Sequence, residues 1–151
     1  MPEKHSSELI GASSFYLDLR SGPQISLKEV SGLESETEVR ELMQSTKDGK
    51  VVIIKSQGAT PVKPGKITIK YAAYKGDPVL EWRQLVINGK MEEARRDIHV
   101  VIYGVDNKEI MRFTCKNSWP SKYAWSNLSA KSNEALEITV IIDHEGMEIA
   151  K

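Results

Sequence analysis

A single cysteine, Cys115, means that no internal disulfide can staple the chain, which fits a reducing compartment. Excess charge is missing too. Lys and Arg number 21 and Asp and Glu number 21, so the sequence lacks the basic surplus of a nucleic-acid or anionic-membrane binder. No apolar run approaches the ~20 residues of a membrane-spanning helix, and Met1 to Ser14 hold no apolar signal-peptide core. The chain is therefore expected to be made and kept in the cytoplasm unless a non-classical route exports it. Gly-rich phosphate loops, paired-cysteine metal motifs and a nucleophile elbow are absent. Internal repeats and dividing linkers are absent as well.

The few reactive side chains read as structural. Of three histidines, His5 lies in the polar N-terminal stretch and His99 on the polar face of a strand, two residues from Asp97. His144 stands beside Asp143 and Glu145, but adjacent strand residues point to opposite faces, which makes joint metal ligation awkward. Cys115 shares a face with Met111 and Phe113 and reads as a small buried apolar residue rather than a nucleophile. Asn127-Leu128-Ser129 matches a glycosylation sequon, which without a signal peptide reads as accidental. No catalytic, metal or cofactor-binding residues are assigned, and the chain is not expected to be an enzyme.

What is present is alternation. With 40% apolar and 28% charged residues, the chain reads as one soluble domain, residues 15–151, behind a flexible arm, residues 1–14. Phe15, Leu17 and Leu19 share a face; Ser21-Gly22-Pro23 turns the chain, and Ile25 and Leu27 return it as a hairpin. Lys47-Asp48-Gly49-Lys50 marks a second hairpin turn, leading into Val51 to Ile54. Residues 56–65 read as a loop. Ile67, Ile69 and Tyr71 alternate with Lys66, Thr68 and Lys70. Asp77 caps, and Pro78 opens, the one good helix, which carries Val79, Trp82, Leu85 and Val86 and stops at Asn88-Gly89. A strand with Ile98, Val100 and Ile102 follows, then a turn at Asp106 to Lys108 and a partner strand from Ile110 to Cys115. That strand is expected to stop at the kink Asn117-Ser118-Trp119-Pro120, with Tyr123 and Trp125 in a loop. The longest alternation closes the chain: Leu136, Ile138, Val140 and Ile142 on one face, Glu137, Thr139, Ile141 and Asp143 on the other. Seven to nine strands and one helix are predicted.

Two segments have charged faces. Glu34, Glu36, Glu38 and Arg40 alternate with weakly apolar residues and are read as a strand, although helix is a rival for so many glutamates. Lys66 and Lys70 carry the opposite sign. As neighbours the two faces would pair across strands at ~0.2–1 kcal/mol per pair. Such faces are either the solvated side of an ordinary sandwich or the wall of a water-filled barrel shared by several subunits.

The order of these segments resembles a known family. Phe15-Tyr16-Leu17-Asp18-Leu19, Val30-Ser31-Gly32-Leu33, the acidic stretch and the single Trp-containing helix are similar to the tail-tube proteins of contractile phage tails and extracellular contractile injection systems. Asn117-Ser118-Trp119-Pro120 resembles that family's Asn-Ala-Trp/Phe-Pro corner, Ser132-Asn133-Glu134-Ala135 its Ser-Asn-Glu-Val/Ile, and Leu136 to Gly146 its closing strand. The resemblance spans about residues 15–148. Two places depart from it: Val39-Arg40-Glu41 continues as Leu42-Met43 where the family often has Tyr-Arg-Glu-Gly-Gly, and Lys70-Tyr71-Ala72 replaces a Lys-Arg-Gly after the retained Pro64-Gly65.

The resemblance implies a mainly β fold, a single β-barrel or sandwich with one flanking helix, whose hairpins extend to neighbouring subunits. It implies hexameric rings that stack into a tube, with sheath, baseplate and cap proteins as partners and a cargo or effector in the lumen. Such a particle is assembled in the cytoplasm and becomes extracellular or virion-like. Roughly 24 strands at ~4.8 Å spacing and ~40° tilt give a backbone diameter of about 48 Å and, less side chains, a lumen near 38 Å. Glu34, Glu36, Glu38, Lys66 and Lys70 are the candidate lumen-lining residues, and Asn117, Trp119 and Pro120 the candidate structural corner. A tube-end or baseplate-proximal homologue is one alternative. A monomeric ligand-binding β-barrel with Trp119, Tyr123 and Trp125 at its mouth is another.

Overall fold

Period-two alternation builds most of the architecture. In a computed structural model, residues 11–20, 22–58, 62–126 and 136–150 are described. They form β1 (Ser14–Asp18), β2 (Ile25–Leu27), β3 (Glu29–Ser31), β4 (Val39–Ser45), β5 (Val51–Gln57), β6 (Gly65–Ala72), α1 (Pro78–Ile87), α2 (Met91–Ala94), β7 (Arg96–Tyr103), β8 (Glu109–Trp125), β9 (Glu137–His144) and β10 (Gly146–Ala150). The expected arm lies outside the described residues through residue 10. Its end does not: Ser13 N donates to Tyr103 O, and Ser14 pairs with Tyr103 in the ladder.

One eight-stranded sheet runs β2-β1-β7-β8-β9-β6-β3, with β10 paired to β8, and β4 and β5 pair only with each other. The end strands β2 and β3 are successive in the chain, separated by Lys28 alone, whose N–H donates to Lys70 O. The sheet thus wraps round on itself. Its inner face holds Leu17, Ile25, Leu27, Ile67, Ile69, Tyr71, Ile98, Val100, Phe113, Cys115, Ile138, Val140, Ile142 and Met147, with Val79 and Trp82 of α1. Each aliphatic among them contributes about 1.5–3 kcal/mol by leaving water.

Helix α1 begins as the sequence requires. Asp77 Oδ1 accepts from Val79 N, Pro78 occupies the first turn, and the stop at Asn88 is followed by Gly89 at φ 76°. Arg83 donates to Pro120 O at 3.1 Å and Trp82 Nε1 to Ala94 O, which ties α1 to β8 and to the short α2. The Arg96 guanidinium lies 5.5 Å from the Trp82 ring centroid.

Two expectations need correction, and two elements were not foreseen. The acidic segment is not a strand: residues 32–38 are irregular, and the strand starts at Val39 and runs to Ser45. Its alternation offered no apolar face to bury, so nothing fixed it as a ladder. The strand from Ile110 does not stop at Asn117 to Pro120 but continues to Trp125. Two elements escaped notice, the four-residue α2 and the C-terminal β10.

The continuation of β8 has a local cause. Phe113 and Cys115 face the core, but beyond Asn117, at φ 46°, the buried positions are Ser118 and Pro120. A register shift between Pro120 and Lys122 reverses the phase again and returns Tyr123 to the core side. One left-handed residue and one bulge therefore let β8 serve two regions of the sheet, pairing with β10 as far as Lys116 and β7 as far as Ser118, and with β9 from Trp119 onward. Asn117 is secured there. Its N–H donates to Asp97 Oδ1 at 3.0 Å and its Nδ2 to Glu145 Oε2 at 2.7 Å. The backbone donation from Asn117, with Lys116 beside it, holds the Asp97 carboxyl below its ordinary value.

Candidate assembly surface

The β4–β5 hairpin is set by Asp48-Gly49 in its turn. Gly49 has φ 77°, and Thr46 N donates to Lys50 O. Its register pairs Leu42 with Ile54, Met43 with Ile53, Gln44 with Val52 and Glu41 with Lys55. Cross-strand partners share a face. One face therefore carries Val39, Met43, Val51 and Ile53 around the Glu41 and Lys55 pair, and the other carries Leu42, Val52 and Ile54 with Arg40 and Gln44.

Neither face is covered. All seven residues of β4 and all seven of β5 are exposed, with Met43 at 75%, Val39 at 63% and even Leu42 at 44%. A two-stranded ribbon is marginal by itself in water, and a contiguous apolar surface of this kind marks an interaction site. The described residues that flank the ribbon, 32–38 before it and 58 and 62–64 after it, are irregular. Gly58 N donates to Glu38 O and Lys63 N to Glu36 O, both at 2.7 Å.

The candidate acidic and basic residues do not meet. Glu34, Glu36 and Glu38 are exposed on the hairpin's arm, where Glu36 pairs with Lys63 at 3.4 Å. Lys66 and Lys70 lie on the solvent side of β6. Lys70 approaches Glu29 at 3.7 Å, and Lys66 sits across from Asp143, which in turn faces Trp119. Lys28 and Glu137 form a further pair at 3.7 Å. The cross-strand pairs expected between the two charged segments are replaced by these. At this exposure each is worth little singly.

Side chains considered for chemistry have ordinary roles. His99 Nδ1 lies 2.9 Å from Thr114 Oγ1, and burial, with Arg112 nearby, lowers its affinity for a proton. Cys115 is buried, which pushes its thiol up to about 12. Tyr71 and Tyr123 both donate to Asp77 Oδ2, the latter at 2.6 Å, and burial raises both phenols. Tyr123 packs edge-on against Trp125 at 4.8 Å. Trp119, paired with Asp143, lies on the opposite face of β8 from Tyr123, so the three aromatics do not ring one cavity. Among the described residues no group of three or more His, Cys, Asp and Glu converges, and no helix is long and apolar enough to cross a membrane. The sequon at Asn127 and the Ser132 to Ala135 motif lie outside the described residues. Lys70 meets Glu29, and Lys66 stands opposite Asp143, through a strand register that the sequence does not carry.

The described residues combine a buried core with one projecting ribbon that is apolar and exposed on both faces. The chain belongs to the T4-like virus tail tube protein gp19 family, whose profile matches residues 11–148. It is a structural subunit of a tail tube.

Solved structures share the fold. A chain in the sheath-tube complex of the PVC extracellular contractile injection system, in its extended state, superposes with a TM-score of 0.71 at 16% identity, over 96% of this chain and 93% of that one. A chain in the tube-terminating cap of the anti-feeding prophage gives 0.70 at 17% identity, over 95% and 91%. Hcp1 from Flavobacterium johnsoniae gives 0.56 at 17% identity, over 91% and 94%. No individual curated protein sequence matches the chain.

Proposed function

We propose that the subunit forms hexameric rings that stack into the inner tube of a contractile injection system or contractile phage tail, and that it performs no catalysis. The observation that carries this reading is the β4–β5 hairpin, exposed on both apolar faces. Ring neighbours would cover those faces and pair its free edges, removing a surface that otherwise aggregates. The solvent side of β3, β6 and β9, with Lys66 and Lys70, becomes the lumen wall together with the arm bearing Glu34, Glu36 and Glu38. Asn117, Trp119 and Pro120 set the angle between the two stretches of β8. A sheath outside, a cap and a baseplate at the ends, and a cargo inside complete the particle. Such a particle is assembled in the cytoplasm before it acts outside.

Electron microscopy of the purified protein tests this directly. Stacked rings of six with the five charged residues facing the lumen are expected. A monodisperse 16.9 kDa species would remove the proposal, and single rings that never stack would favour a tube-end subunit. A reconstruction with Lys66 and Lys70 on the outer wall would overturn the lumen assignment.

A further inference from the structure

The root of the β4–β5 ribbon carries a groove that its own chain does not fill. Thr37, Glu38, Val39, Lys55, Ser56 and Gln57 line about 450 Å³ of open space there. One wall is built by close approach. Gly58 N donates to Glu38 O at 2.7 Å, and a Cβ added to Gly58 would fall 2.9 Å from Glu38 Cγ and 3.0 Å from its Cδ. Only glycine leaves room for the Glu38 side chain to lie across the backbone at that point. The groove continues the ribbon face of Val39, Met43 and Ile53, because Val39 pairs with Gln57 and Glu41 with Lys55.

The two ends of the ribbon differ in sign. At the root, Glu36 pairs with Lys63 and Glu41 stands across from Lys55, but Glu38 has no hydrogen-bond or ion-pair partner among the described residues. The turn at the other end holds Lys47 and Lys50 around a single Asp48. All three are exposed, and neither lysine has an ion-pair partner among the described residues. The turn is closed by Thr46 N donating to Lys50 O and Gly49 N to Thr46 O. Seven residues of β4 separate tip from root. At ~3.4 Å per residue that distance is about 24 Å, well beyond a screening length of about 8 Å, so these charges do not meet within one chain. A second copy brings them together. Six copies on a circle of about 48 Å diameter stand about 24 Å apart, so a ribbon of this length reaches from one root to the next.

We propose that the tip of the ribbon in one subunit seats in the root groove of its ring neighbour, with Lys47 and Lys50 against Glu38. The contact is head-to-tail and closes only through rotational symmetry. Its charges set register and reject mispaired copies, while the apolar faces of the ribbon supply most of the affinity. This inference deepens the proposed ring and rests on it.

Cross-linking reads the contact. Lys47→Cys and Glu38→Cys are made as separate chains, assembled as a mixture and treated with a short bismaleimide; Cys115 is buried and stays silent. A covalent dimer is expected from the mixture and from neither variant alone, and the chain bearing both changes should give a ladder that ends at six. Particles that form normally without a mixed dimer overturn the tip-to-root contact and leave the ring standing. A mixed dimer whose ladder runs past six keeps the contact and overturns the closed ring. Charge reversal is the second measurement. Lys47→Glu with Lys50→Glu in one chain, and Glu38→Lys in another, should each raise the concentration needed for assembly about tenfold or more in sedimentation velocity. Mixing the two reversed chains should restore assembly, since every tip then meets a root of opposite sign. Absence of that rescue, with both variants folded by circular dichroism, overturns the contact.

Discussion

At the scale of single residues, Asp77 organises more than the start of a helix. One carboxylate oxygen caps α1 through Val79 N while the other accepts from both Tyr71 and Tyr123. Three elements, β6, α1 and β8, are thereby fixed to one buried side chain. Asp77→Ala would remove the cap and leave two phenols without an acceptor, so a loss of about 3 kcal/mol is expected in urea unfolding. Tyr123→Phe, which deletes one bond and strands no partner, should cost about 1 kcal/mol by the same measurement. Cys115 makes a different prediction. Burial raises its thiol to about 12, so thiolate is scarce at neutral pH and the sulfur is inaccessible. Maleimide should label the folded chain negligibly and the urea-unfolded chain stoichiometrically, as read by mass spectrometry.

At the scale of elements, strand β8 shows what a bend requires. Asn117 adopts a left-handed conformation that costs most L-residues about 1 kcal/mol, and its side chain bonds Glu145. Asn117→Ala should therefore destabilise by about 1–2 kcal/mol in thermal or urea unfolding, and Asn117→Gly by less, because glycine retains the backbone freedom. The same element marks the boundary of what was legible in the sequence. Where one face of a strand meets the core, as at Ile67, Ile69 and Tyr71 or Ile138, Val140 and Ile142, alternation alone placed it correctly. So did the Asp77-Pro78 helix start and the Asp48-Gly49 turn. Asn117 and Pro120 read as breakers because local signals do not say whether a distant strand, here β9, will continue the ladder. The stretch from Glu34 to Glu38 read as a strand because its period is two, yet no apolar face anchors it. Lys66 and Lys70 were legible as the solvent side of β6, but the residues they face depend on register and were invisible.

At the scale of the whole molecule, the balance of charge and the location of exposed apolar surface point to the same driving force. The net charge is zero, and ion pairs on the solvent side of β6 and β9 are local and exposed. Long-range attraction between copies is therefore weak, and screened further at physiological salt. The apolar faces of β4 and β5 are the largest concentration of unburied aliphatic side chains described. If they drive assembly, Met43→Glu and Ile53→Glu should abolish rings in sedimentation velocity. Because both residues are exposed in the isolated subunit, its melting temperature should barely move, corresponding to within about 0.5 kcal/mol. Raising sodium chloride from about 50 mM to about 1 M should leave assembled material intact, and sulfate should promote it, since excluded salts strengthen apolar burial. An assembly held mainly by ion pairs would instead dissolve as the screening length shrinks to about 3 Å. The salt series thus separates the two forces on one protein, with the glutamate variants as the null.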